Sequence, residues 1–307
     1  LSSSRGLAPD AGRVQSGMPR NSSPEADALL GQPIPVLDKG FVRLVDYLGN
    51  DARIVQAARV SYGEGTKTVR EDSALIDYLL RNRHTSPFEM VELTLHVKAP
   101  MFVARQWLRH RSGSVNEVSA RYSVMPDEFY RPQAQQIRAQ GKRSRQVGEG
   151  PLDVEAAQMA SHAFDEALDE SYETYEELLE LGVAREMARE VLPVGLYTAF
   201  YWKQDLHNLF HFLRLRLDWH AQYEIRAYGD AVAQCARAVA PVAFAAFEEH
   251  ILGGKSLSKT ELEIVRQALD PALLEEAIEA SGLRKSRRRE LLDKLGVEPG
   301  DHSKAAD

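Results

Sequence analysis

A mixed fold of strands and helices is predicted by two features: an alternating stretch, FEMVELTLHVKAP, that ends at Pro100, and a succession of helix-period segments after it. The chain has 307 residues and is 44% apolar, enough for one large core or two smaller ones. No run approaches the roughly 18 apolar residues of a membrane span. The first residues have neither a basic start nor an apolar segment, so no secretion signal and no membrane association are expected and the cytoplasm is the default. Leu1 in place of Met fits a processed chain or a fragment. The net charge of −7 argues against a general affinity for nucleic acid or anionic membrane. The single cysteine, Cys235, permits no intrachain disulfide, and no metal-binding pattern joins the histidines.

Residues 1–33 are rich in Ser, Gly, Pro, Arg and Asp without an apolar period, so a flexible extension is expected over residues 1–37. FVRLVDYL from Phe41 suits a strand, and DARIVQAARVSY from Asp51 starts on a capping-type residue and continues as a short helix. A second helix is expected from Arg70 to Asn82, with Leu75, Ile76, Leu79 and Leu80 inside. In the alternating stretch Leu93, Leu95 and Val97 are set against Glu92, Thr94 and His96. Pro100 stops that ladder and opens a helix, MFVARQWLRHR, expected to run to about Arg111.

An acidic, alanine-rich segment from Pro151 to Leu181, carrying Met159, Ala163, Leu168, Tyr175 and Leu178, reads as one long helix or a broken pair. AREMAREVLP should end near Pro193, YTAFYW reads as a strand, and LHNLFHFLRLRL and AQYEIRAYGDAVAQCARAVAP read as helices. The texture then changes, and residues 253–307 read as a helical C-terminal tail. There Ser258 and Glu261 form a capping box, Asp270-Pro271 starts a helix that stops at Gly282, and Arg284 to Leu295 is basic and then amphipathic. GEGTK from Gly63 lacks the strand–turn–helix setting of a dinucleotide-binding loop.

Folding alone does not account for RHRSGSVNEVSARY, Arg109 to Tyr122. A lone arginine reads as a surface ion-pair partner. Here Arg109, Arg111 and Arg121 surround one Glu117, and no apolar period explains Ser112, Ser114, Asn116 and Ser119. Guanidinium groups stay charged and present planar, paired donors, which suits phosphate or the edge of an imide-like ring.

The same stretch resembles the signature of the flavin-dependent thymidylate synthases, the ThyX family: Arg-His-Arg, two free positions, Ser, one free, Asn-Glu, one free, Ser, one free, Arg-Tyr. All nine specified positions are met, by Arg109, His110, Arg111, Ser114, Asn116, Glu117, Ser119, Arg121 and Tyr122. HTSPFEMVELTLHVKAPMFVARQW, REVLPVGLYTAFYW and LRLRLDWHAQYEI are similar to further segments of that family, so the likeness spans residues 38–252 as a catalytic domain.

That resemblance implies an α+β subunit with an antiparallel sheet flanked by helices, several of them long. It implies a homotetramer whose sites combine residues of more than one subunit. The activity implied is conversion of dUMP to dTMP with 5,10-methylenetetrahydrofolate as one-carbon donor and hydride delivered through FAD reduced by NADPH. FAD would be held by His84, Ser86, Arg109, His110, Arg111, Asn116, Glu117, the run Asp205, Leu206 and His207, then His211 and His220. Members of the family carry asparagine and arginine in that run and asparagine at the later site, where this chain has Asp205, His207 and His211.

The nucleotide would be held by Gln106, Arg109, Glu117, Val118, Ser119, Ala120, Arg121 and Arg189. Arg216 would press on the uracil N3/O4 edge and activate C5, with Glu117 and Ser119 as the other candidate catalytic groups. His220, four residues beyond Arg216, shares its face if the helix continues. Cys235, flanked by alanine and valine, reads as packed and inert, which speaks against a thiolate attacking the base. The competing reading is a non-catalytic protein that binds nucleotides or single-stranded nucleic acid.

Overall fold

The computed structural model describes residues 21–60, 69–141 and 148–297, and the chain forms two compact units, Leu1–Gly253 and Gly254–Asp307. GEGTK and the first twenty residues lie outside the described residues.

The first unit opens with α1 (Pro24–Leu29), β1 (Pro33–Val36) and β2 (Gly40–Leu48). Part of the expected flexible extension is thus regular structure. Its anchors are polar groups the composition does not reveal: the Ser23 amide donates to Tyr47 Oη at 2.9 Å, the Ser23 hydroxyl to the Ala238 carbonyl at 2.6 Å, and Ala26 is fully buried. Next come α2 (Asp51–Arg59) and α3 (Val69–Arg81). Asn50, not Asp51, caps α2, while the Asp51 carboxylate accepts from the Val242 and Ala243 amides at 2.9 Å each. Ile76, Leu79 and Leu80 are buried as expected, with Leu75 packed against them.

The alternating stretch forms β3 (Glu92–Pro100), preceded by a short turn of 3-10 helix at Phe88–Met90. Leu93, Leu95 and Val97 are fully buried. The chain turns at Pro100 into α4 (Met101–Trp107), which is shorter than expected. Strand pairing in the next segment dictates its end, because the signature pairs as β4 (Ser114–Glu117) against β7 (Tyr197–Asp205). At Gly113 a Cβ would lie 2.5 Å from Trp202 Nε1 and 2.8 Å from the Lys203 carbonyl oxygen, so only glycine lets the backbone approach so closely.

Between β4 and β7 lie a small hairpin, β5 (Arg138–Gln140) with β6 (Gly148–Pro151), and the helices α5 (Val154–Glu180) and α6 (Arg185–Ala188). The acidic segment is therefore one 27-residue helix, capped by Asp153; Leu168 and Tyr175 face inward, but Met159 and Ala163 are exposed. After β7 come α7 (Leu206–Arg216), α8 (Tyr223–Val239) and α9 (Pro241–Phe247).

The five-stranded sheet has the order β1-β2-β3-β7-β4 with every pair antiparallel. One face carries the core, in which Trp107 of α4, Trp202 of β7 and Phe212 of α7 meet with ring centroids 4.7–5.3 Å apart. These large rings fix how α4 and α7 sit on the sheet, and thus where their ends point. No helix among the described residues is long and apolar enough to cross a membrane.

The second unit contains α10 (Lys259–Ala268), α11 (Pro271–Ala280) and α12 (Lys285–Leu295). The expected capping box is present, with Glu261 N to Ser258 Oγ at 3.3 Å and Ser258 N to Glu261 Oε2 at 2.6 Å. Gly282 ends the α11 turn at φ +65°, and Arg266 closes the C-terminus of α12 by donating to the Leu295 and Lys294 carbonyls.

Candidate active site

The expected site residues fall into two groups. The first gathers where α4 ends beside the last turn of α7. Arg216 is half-buried, donating through Nε to His110 Nε2 at 3.2 Å and through Nη2 to the Gln106 carbonyl at 3.0 Å. Burial, then the charges of Arg216 and His211, push the His110 imidazole down to about 4. It is therefore neutral near pH 7, with Nε2 free to accept. Burial also lowers Arg216, yet a guanidinium remains charged at neutral pH. The Gln106 amide donates to Gln222 Oε1 at 2.7 Å.

Arg109 and Arg111 are exposed, and no hydrogen bond or ion pair joins either to another described residue. Two unspent guanidiniums beside a neutral imidazole fit the doubly charged diphosphate of a dinucleotide cofactor such as FAD.

Asp205 caps α7: its Oδ1 accepts from Asn208 N at 2.9 Å and its Oδ2 from Asn208 Nδ2 at 2.8 Å. The Leu206 side chain is fully buried and its amide is spent on the Val91 carbonyl. His207 and His211 lie on α7, the latter edge-on to His110. His220 does not share the helical face of Arg216, because α7 stops at Arg216 and Asp218 captures the His220 ring at 2.7 Å. His84 follows α3 and leans on Tyr78, and Ser86 lies in the turn before β3. Asn116 is exposed on β4 opposite Tyr201.

The second group lines a cleft of about 330 Å³. Glu117, Val118 and Ala120 come from the signature, Arg189 and Glu190 from the turn after α6, and Thr198 from β7, over an apolar floor of Met101, Met125, Leu192 and Leu196. The Thr198 hydroxyl donates to Glu117 Oε1 at 2.6 Å. Ser119 organises the following turn, its hydroxyl accepting from Arg121 N and its carbonyl from Tyr122 N. Arg121 is paired with Glu186 Oε2 at 3.0 Å, while Arg189 donates to the Glu186 backbone carbonyl at 3.3 Å. A neighbouring hollow of about 510 Å³ is lined by Arg121, Tyr122, Arg185 and Glu186 among others.

The cleft that holds Glu117 and Arg189 is not lined by Arg216, Gln106 or Arg109. Sequence reasoning missed Thr198 and Gln222 as partners of the site, and Glu186 as the partner of Arg121, since each of these contacts joins distant segments through strand register or helix packing.

Comparison with known proteins gives the family of the chain. Residues 43–242 match the family described as thymidylate synthase complementing protein. The chain is 61% identical over 263 residues to the flavin-dependent thymidylate synthase of Thermus thermophilus, covering 85% of this chain and 95% of that relative. It is 54% identical over 237 residues to the enzyme of the same name from Treponema denticola, covering 76% and 88%. Among solved structures it is similar to a UMP/dUMP methylase, PolB, from Streptomyces cacaoi bound with 5-Br dUMP. That likeness has 34% identity and a TM-score of 0.66, and covers 71% of this chain and 99% of that one.

Proposed function

The chain belongs to the flavin-dependent thymidylate synthase family, and from that premise we propose that its two polar groups are complementary parts of one dUMP-methylating site. It is a methyltransferase that turns dUMP into dTMP with a flavin. The finer reading has 5,10-methylenetetrahydrofolate as the carbon donor, NADPH as the reductant, a homotetramer as the working assembly and the cytoplasm as its compartment.

The observation that carries the mechanism is the clamped Arg216 guanidinium. C5 of uracil is a poor nucleophile until charge is drawn onto the N3/O4 edge, and a fixed cation there stabilises that charge as it develops. Arg216 is held by two acceptors, neither of them acidic, so its positive charge is not neutralised within its own cluster. A thiolate route lacks its thiol: Cys235 is fully buried in α8, and burial pushes it up to about 12.

Arg189, which lines the cleft with Glu117, and Arg121 and the Ser119 turn, next to Glu117 in the chain, suit the nucleotide phosphate. Arg109, Arg111, His110, His84 and Ser86 would hold the flavin, which when bound supplies the hydride for the methyl group. Because Arg216 does not line the cleft of Glu117 and Arg189, a second copy of the chain would bring the two groups together around one nucleotide. Binding without turnover, the competing reading, has no support in a chain of this family.

The test is formation of labelled dTMP from dUMP by purified, flavin-saturated protein, with folate donor and NADPH omitted in turn. Product is expected only with both present. Turnover without NADPH, or with another carbon donor, would remove the corresponding part of this reading.

A further inference from the structure

We propose that Thr198 is a positioning residue, holding Glu117 apart from Arg189 so that carboxylate and guanidinium stay separately available in the cleft. This rests on the reading of that cleft as part of the dUMP site.

Alternate residues of β7 point to the core, and Thr198 shares that face with Phe200 and Trp202, all but inaccessible to solvent. An apolar branched residue would satisfy that position, and a buried hydroxyl is costly unless it is bonded. Its partner comes from the neighbouring strand. Glu117 stands opposite Phe200, which makes Thr198 its diagonal neighbour on the same face. The Val118 amide donates to the Ala199 carbonyl at 2.9 Å, so the backbone on which Glu117 sits is tied to β7 just beyond it. The hydroxyl then reaches Glu117 Oε1 at 2.6 Å, a short, charge-assisted bond.

Among the described residues no other group donates to Glu117. Arg189 lines the same cleft, and a carboxylate free to turn over that apolar floor would be drawn to it. Such a pair would consume the charge intended for a phosphate and the acceptor intended for substrate or flavin. Thr198 supplies the restraint at the cost of one buried hydroxyl.

The experiment compares Thr198→Val, which keeps shape and removes the donor, with Thr198→Ser, which keeps the donor, each alone and combined with Glu117→Gln. Turnover, KM for dUMP, flavin absorbance and melting temperature are measured for all. Thr198→Val should lose about tenfold or more in kcat/KM, as the loss of a charged hydrogen bond implies. Thr198→Ser should stay within about threefold of the parent, the scale of context-dependent error in such comparisons. The Val change should add nothing to Glu117→Gln. Equal losses in the Val and Ser variants that track melting temperature, or Val and Gln effects that multiply independently, would overturn the positioning role. A Glu117→Gln enzyme with full activity would instead overturn the reading of the cleft itself.

Discussion

Arg216 and His110 are joined by a 3.2 Å bond in which the imidazole can only accept, so the guanidinium of α7 is aimed by a neutral partner at the end of α4. The Gln106 carbonyl takes a second donor at 3.0 Å. A lysine cannot make both contacts from one planar fork. Arg216→Lys is therefore expected to keep flavin yet lose about a hundredfold in turnover, in line with removal of one charge-stabilising donor. Stopped-flow or steady-state turnover beside the flavin spectrum separates the two effects. Equal loss of both would place Arg216 in cofactor binding.

Burial of His110, with the charge of Arg216 beside it, predicts a pH dependence of stability. His110 titrates near 4 in the folded chain against an ordinary 6.5. Between those values the unfolded chain binds a proton that the folded chain refuses. This group's contribution therefore makes stability fall as pH drops through that window, and adds no slope above about 6.5. Melting temperatures at pH 7.5 and pH 5.5 should converge in His110→Gln relative to the parent. An unchanged difference would show that His110 does not carry this linkage.

Much of this was legible before the structure. Leu93, Leu95 and Val97 announce β3 by alternation alone, and the Ser258–Glu261 box marks the start of α10. The nine-position signature is a local string, so its residues could be named one by one. What could not be read depends on contacts between distant segments. The end of α4 at Trp107 follows from the approach of Gly113 to β7, 89 positions from Trp202, and a helix propensity carries no trace of it. The burial of Leu206 and the capture of His220 by Asp218 follow from where α7 begins and stops, which its apolar period leaves open by a turn. Ser23 and Ala26 look like parts of a polar tail until Tyr47 and Ala238 are beside them.

Asp205 offers a test of one of the three positions, with His207 and His211, at which a departure from the family pattern is expected. Its carboxylate caps α7 through the Asn208 amide, a task an asparagine side chain performs equally well. Asp205→Asn should change stability by no more than about 0.5 kcal/mol, whereas Asp205→Ala should cost about 1 kcal/mol through loss of the cap. The Asn variant also removes a negative charge from the expected flavin run, so FAD should bind more tightly to it than to the parent. Denaturant unfolding and flavin titration of the two variants are the measurements. Weaker FAD binding by Asp205→Asn would mean that the carboxylate contacts a donor of the cofactor.

Arg121 is not idle in the free chain: both its Nε and Nη2 reach Glu186 Oε2, at 3.1 and 3.0 Å, and the two side chains are 56% and 53% exposed. A pair so open to water is worth at most about 1 kcal/mol. A dianionic phosphate offers the same guanidinium more acceptors and more charge. Glu186 therefore acts as a weak competitor for the nucleotide. Replacing it by glutamine should lower KM for dUMP by up to about fivefold, the equivalent of that pair, with kcat unchanged. Arg121→Ala should raise KM and leave flavin binding intact. Added salt should narrow the gap between parent and Glu186→Gln, since it screens the pair being removed. A higher KM in Glu186→Gln would reverse the assignment, making Glu186 the residue that holds Arg121 in place for the phosphate.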